Sequence, residues 1–137
     1  MFASDRASGG LGIELLHIGE GVAVARMIVT ASMVNGHGIA HGGYVFLLAD
    51  TAFACACNTR GAPTVAAAAD IDFVAPAHEG DALLATAQER ARYGRSGIYD
   101  VRVTRGDELV AEFRGRSRAL RGADSETGGG AGAEARS

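Results

Sequence analysis

The stretch from Gly43 to Asn58 constrains the fold more than any other part of the chain. Read at 3.6 residues per turn it is apolar on nearly every side, and Gly61-Ala62-Pro63 stops it. A helix without a polar face has to be covered on several sides. Beyond Gly61 nothing reads as a second helix, and a parallel α/β arrangement would need helices between its strands. The cover must therefore come from strands.

Those strands can be read off the pattern. Gly21–Thr30 alternates, with Val22, Val24, Arg26, Ile28 and Thr30 on one face and Ala23, Ala25, Met27 and Val29 on the other. Thr64–Val74 reads as a second strand and Asp81–Tyr93 as a third, long one. Arg92-Tyr93-Gly94-Arg95-Ser96-Gly97 has turn chemistry. Ile98–Arg105 places Tyr99, Val101 and Val103 opposite Asp100, Arg102 and Thr104. After the Arg105-Gly106-Asp107 turn, Leu109, Ala111 and Phe113 oppose Val110, Glu112, Arg114 and Arg116. The last three strands form an antiparallel meander of half-buried character. The expected class is α+β: one long central helix wrapped by a curved, mainly antiparallel sheet. Residues 1–10 read as a flexible start, 11–121 as the working domain, and the Gly/Ala/acid-rich 122–137 as a disordered tail.

Asp50 is the only carboxylate between Tyr44 and Thr59, a run that also lacks Arg and His. Burying a lone charge is costly unless the site uses or pairs it. Just upstream lies Asn35-Gly36-His37-Gly38-Ile39-Ala40-His41-Gly42-Gly43, a loop of polar and small residues leading into the same helix. A helix N-terminus offers unpaired N–H groups and a partial positive charge, which stabilise a developing oxyanion. Gly42 and Gly43 carry no side chain, so a ligand can approach their backbone closely.

The pattern N-G-H-x-x-x-H-G-G-x-x-F-x-L-A-D-x-A-F-A-x-A-x-N from Asn35 to Asn58 resembles the motif of hotdog-fold acyl-CoA thioesterases of the PaaI type, linked to phenylacetate degradation and similar to 4-hydroxybenzoyl-CoA thioesterases. Ile71-Asp72-Phe73-x-x-Pro76, Gly94-Arg95-Ser96-Gly97 and Phe113-x-Gly115 are similar too, so the resemblance covers roughly residues 11–120. It implies hydrolysis of an aromatic acyl-CoA, phenylacetyl or hydroxyphenylacetyl, to free acid and coenzyme A. Asp50 is then the general base or the nucleophile, a choice the residues leave open. Gly42 is the carbonyl donor, His41 lies beside the thioester, and Asn35 sits near the attacking water or the carboxylate. Gly43, Arg95, Ser96 and Gly97 are candidates for holding substrate. No cofactor is implied, since coenzyme A belongs to the substrate.

Gly42 and Asp50 stand eight residues apart, about 12 Å along a helix at 1.5 Å per residue. The attacking group must come within ~3 Å of the carbonyl carbon. Two such helices packed antiparallel about a two-fold axis bring Asp50 of one to Gly42 of the other. A homodimer is the minimum expectation, and the resemblance implies pairing of dimers into a tetramer.

The remaining features exclude other classes. A net charge of −3 gives no electrostatic reason for nucleic acid or an anionic membrane as partner. All 13 cationic residues are Arg, which suits phosphate recognition. Tyr44–Cys57, at 14 residues, is too short to span a bilayer, which needs ~20. The opening MFASDRASGG does not read as a signal peptide, and the cytoplasm is the expected compartment. His37 and His41 have i, i+4 spacing, but the glycines between Asn35 and Ile39 argue against the helix that would align them, so no metal is expected. Cys55 and Cys57 read as small core fillers. Two alternatives on the same fold are an acyl-thioester hydratase or dehydratase, which usually carries Pro beside the entrance Gly, and a non-catalytic acyl-CoA sensor.

Overall fold

The computed structural model describes residues 5–120. In chain order the elements are α1 (Arg6–Gly10), β1 (Glu14–Gly19), β2 (Val22–Ile28), a 3-10 turn (Ala31–Met33), α2 (Gly42–Cys57), β3 (Thr64–Phe73), β4 (Ala82–Tyr93), β5 (Ser96–Arg105) and β6 (Glu108–Ala119). The strands form one antiparallel sheet in the order β1-β2-β4-β5-β6-β3. The α2 helix lies across one face of it, as the α+β reading expects. No described helix is long and apolar enough to cross a membrane. The expected tail, 122–137, lies outside the described residues.

Small residues on the sheet let the helix sit close. Ala23, Ala25, Ala85 and Ala87 are fully buried in β2 and β4, with Met27 and Leu83 beside them, beneath Leu48, Ala52, Phe53 and Ala56 of α2. Toward β5 and β6 the filling is aromatic. Phe53 packs against Tyr99 and Phe113 at ring-centre distances of 5.6 and 5.7 Å, and Phe46 meets Phe113 edge-on at 5.4 Å. Gly115 makes that cluster possible: a methyl group there would stand 2.7 Å from Cζ of Phe53. Overpacking of this kind typically costs about 1–3 kcal/mol.

Three local readings need correction. β1 was not expected; its irregular pairing, with a register shift between Leu15 and His17, breaks the alternation that would have announced it. The clean alternation expected along β6 fails at Val110, which is buried together with Ala111. A bulge opposite Val103/Thr104 turns both inward, and the Val110 carbonyl accepts the N–H groups of Val74 (2.8 Å) and Ala75 (3.2 Å). The flexible start contains α1, whose Ser8 is buried and hydrogen-bonded through Oγ to Thr51 Oγ1 (2.8 Å) and Asp5 Oδ2 (2.7 Å). The polar composition of 1–10 hides that anchor.

One chain does not finish covering α2. Gly43, Phe46, Leu47 and Asp50 form a stripe that stays wholly or partly exposed, while the C-terminal half from Thr51 to Cys57 is buried. Beside the stripe runs edge strand β3. Its residues Ala66, Ala69 and Phe73, paired with inward-facing Ser117, Gly115 and Ala111, are themselves exposed.

Candidate active site

The loop entering α2 is held from two sides. Asn35 Oδ1 accepts the N–H groups of His37 (2.8 Å) and Ile39 (3.1 Å), which winds the loop into an Asx turn and leaves the Nδ2 donors for other work. Ala40 then donates to Ala77 O at 2.8 Å and His41 to Met33 O at 2.9 Å. These bonds fix where the helix begins. His41 is its N-cap, yet its side chain makes no capping bond, and the imidazole is exposed. Among the described residues the N–H groups of Gly42 and Gly43 have no acceptor. A ready-made pair of donors therefore stands open at the positive end of a 16-residue helix.

The two glycines differ in what they are small for. A methyl group on Gly42 would stand 2.7 Å from Cζ of Phe73, so the ring of Phe73 occupies that space. Above Gly43 nothing among the described residues lies within 4 Å. Gly43 thus has open space above it among the described residues, whereas the ring of Phe73 lies where a side chain on Gly42 would stand. Sequence reading noticed Phe73 only as part of a motif. Its one advance signal was the position, at the end of β3 just before Ala75-Pro76.

Asp50 lies two turns into α2 on the partly open stripe. Its charge is felt by Cys57, whose thiol is pushed up to about 12, first by burial and then by Asp50. Burial, followed by Asp5, likewise raises Cys55 to about 11. Thiols so shifted stay protonated at neutral pH and are not nucleophiles, in keeping with core fillers.

Arg95, Ser96 and Gly97 are brought together elsewhere. With Arg60, Arg92 and Thr64 they line a small polar cleft at the C-terminal end of α2. Within one chain the helix length, about 24 Å for 16 residues, separates this cleft from Gly42. Arg95 is partly committed to the fold, since its guanidinium donates to Ala119 O at 3.0 Å. Next to the cleft, Tyr99 donates to Glu89 (3.0 Å), and Arg60 binds the same carboxylate through two nitrogens at 2.9 and 3.2 Å. Burial alone would raise Glu89, but the bonds from Arg60 and Tyr99 outweigh it and hold the carboxyl below its ordinary value. Burial and the bond to Glu89 push the Tyr99 phenol up.

An apolar cleft of about 400 Å³ opens beside Gly42, between the loop at Ile39–Ala40 and the segment 73–77, with Val45 and Val110 in its walls. Sequence reasoning missed it, because its walls come from three separate parts of the chain. No group of three His, Cys, Asp or Glu side chains converges as a metal site among the described residues.

Comparison with known proteins agrees with this architecture. The model of the thioesterase superfamily matches residues 37–112, more than half of the chain. The acyl-coenzyme A thioesterase PaaI of Escherichia coli is 47% identical over 123 residues, covering 89% of this chain and 88% of that protein. The solved structure of the E. coli PaaI protein from the phenylacetic acid degradation operon superposes with a TM-score of 0.85 at 46% identity, over 88% of each chain. The TT0310 protein from Thermus thermophilus gives 0.82 at 40% identity, over 85% of this chain and 98% of that one. A lone carboxylate on a central helix, an uncapped N-terminus opening that helix and a sheet folded around it thus agree with the family match: the chain belongs to the thioesterase superfamily and is a hotdog-fold thioester hydrolase.

Proposed function

We propose that the chain hydrolyses acyl-CoA thioesters with aromatic acyl groups, phenylacetyl or hydroxyphenylacetyl first, at sites shared between two copies. The observation that carries this is the state of the helix N-terminus: two N–H donors without acceptors among the described residues at Gly42 and Gly43, an N-cap whose side chain makes no capping bond, and Asp50 on the same open stripe. The similarity to E. coli PaaI supports an acyl-CoA as substrate.

In this reading the carbonyl oxygen accepts from the Gly42 N–H, and Asp50 of the second copy acts on the carbon. As general base Asp50 takes a proton from water while the water oxygen bonds to carbon. As nucleophile its own oxygen bonds first, and water then splits the resulting anhydride. Either way the C–S bond breaks, the sulfur leaves as coenzyme A thiolate and is protonated, and the acid is released. Asn35 offers its Nδ2 donors to the water or the carboxylate, and His41 stands at the N-cap beside the thioester. No cofactor enters.

The exposed stripe of α2 and the exposed Ala66 and Ala69 of β3 support the dimer, because a second copy would cover both. With the helices antiparallel and Asp50 opposite Gly42, the partner's helix runs seven residues further, about 10 Å, to its C-terminal end. In this reading the partner's Arg95–Gly97 cleft takes the coenzyme A arm. Pairing of dimers into a tetramer and a cytoplasmic setting complete the reading.

The test is free-thiol release from a panel of acyl-CoAs by the native enzyme and by Asp50→Asn. Loss of a general base or nucleophile should lower kcat by about 10²–10⁴-fold with the fold intact. Near-native turnover by Asp50→Asn would remove the mechanism. Enoyl-CoA hydration, or binding without thiol release, would replace it with one of the alternatives on this fold.

A further inference from the structure

Phe73 is more than half exposed (55%), although it is an aromatic residue at the end of a strand whose Ile71 turns into the core. The ring rests on Gly42 and forms one wall of the apolar cleft. The other walls, Ile39, Val45, Ala75, Pro76 and Val110, carry no charge. An apolar surface left in water beside an open donor pair is costly for the free protein and useful only when something apolar covers it.

We propose that this cleft receives the acyl group and that Phe73 is the residue that sets acyl selectivity, stacking on an aromatic ring held between it and the wall formed by Ala75 and Pro76. The identity of the ligand rests on the acyl-CoA reading above; the placement rests on the cleft. A carbonyl bonded to the Gly42 N–H has its acyl carbon beside Phe73, since the ring lies against the same residue. The size fits: an apolar cavity of ~150 Å³ holds benzene, so 400 Å³ accommodates a phenyl ring with a short spacer. The cleft also falls within the 300–1,000 Å³ of ordinary small-molecule sites, about 400 Å³ being at their lower end. Ring-on-ring contact adds to simple burial, which favours aryl over similarly sized alkyl groups.

The experiment is calorimetric titration of coenzyme A and of its phenethyl thioether, which cannot be hydrolysed, into the native protein, Phe73→Ala and Ala75→Leu. Sedimentation confirms the assembly state of each. The native protein should bind the thioether more tightly than coenzyme A. Phe73→Ala should lose about tenfold of that gain, equivalent to ~1.4 kcal/mol, with coenzyme A affinity unchanged. Ala75→Leu, which narrows the cleft from another wall, should lose the gain as well. Should either variant keep the full gain, or the native protein show none, the proposal is overturned. A Phe73→Ala protein that dissociates yet keeps the gain would make Phe73 an assembly residue and overturn it too. Because the probe needs no turnover, the outcome is separate from the hydrolysis test: a thioether gain that depends on Phe73 in a protein that releases no thiol would leave the cleft standing and sink the proposed function.

Discussion

At its C-terminal end α2 is tied off by Asn58, whose Nδ2 donates to Ala54 O (2.9 Å) and Thr64 O (3.1 Å) while its Oδ1 accepts from Thr64 N (3.0 Å). Thr59 adds a bond to Ala56 O and accepts Gly21 N–H, both at 2.8 Å. At the N-terminal end His41 provides no capping bond, and the donors of Gly42 and Gly43 have no acceptor among the described residues. A capping side chain is worth roughly 0.5–2 kcal/mol. One end of the helix is tied down by side-chain bonds, and the other forgoes a cheap one. The difference separates a helix end tied into the fold from one whose donors stay open, a contrast of the kind expected where function is bought with stability.

Variants that break this contrast should have effects of decreasing size. Asp50→Asn, with its expected loss of about 10²–10⁴-fold in kcat, is the largest. Next is His41→Asp, which would supply the missing cap to the open N–H groups. It should raise the urea-unfolding free energy by about 1 kcal/mol and lower kcat/KM by at least tenfold, the equivalent of ~1.4 kcal/mol. A loss of activity with no gain in stability would mean that the donors are not available as described.

The smallest effect lies at the closed end and appears only in acid. Glu89 is held below its ordinary 4.5 by Arg60 and Tyr99, whose bonds outweigh the opposing effect of burial. The unfolded chain therefore binds the proton more readily. The stability that this carboxylate contributes is whole above about 4.5 and is lost as pH falls through the lower, folded value. Asp100, held down chiefly by Arg114, and Asp81, held down chiefly by the His78 N–H, act in the same direction. Glu89→Gln should flatten the fall in urea midpoint between about pH 5 and 3 without changing kcat/KM at neutral pH. An acid limb as steep as the native one would show that the network contributes nothing.

Much of this was legible in the sequence because it follows local periodicity. The alternation of Ala23, Ala25 and Met27, the apolar run of α2 and the glycine turn at Gly94 each specify their element without reference to the rest. Asp50, Gly42 and Asn35 stood out because charge, absent side chains and loop polarity interrupt that periodicity. What stayed hidden depends on distant partners. The inward turn of Val110 comes from a register shift against β5, and the burial of Ser8 comes from Thr51, 43 residues away. The role proposed for Phe73 rests on its contact with Gly42 across the gap between a strand end and a helix start. No window of sequence contains both halves of such a contact.

The central claim, that one copy supplies the donor and another the carboxylate, is tested most directly by mixing two inactive variants. Asp50→Asn keeps the Gly42 donor; Gly42→Pro removes its N–H at a helix position where proline is tolerated. Any push of that proline on Phe73 falls in the site that has already lost its donor. Refolded together in equal amounts, half of the dimers should be mixed, each with one complete site of two. Activity should return to about a quarter of the native value if the sites follow two-fold symmetry. A mixture no more active than either variant alone would place both groups in one chain's site and contradict the account.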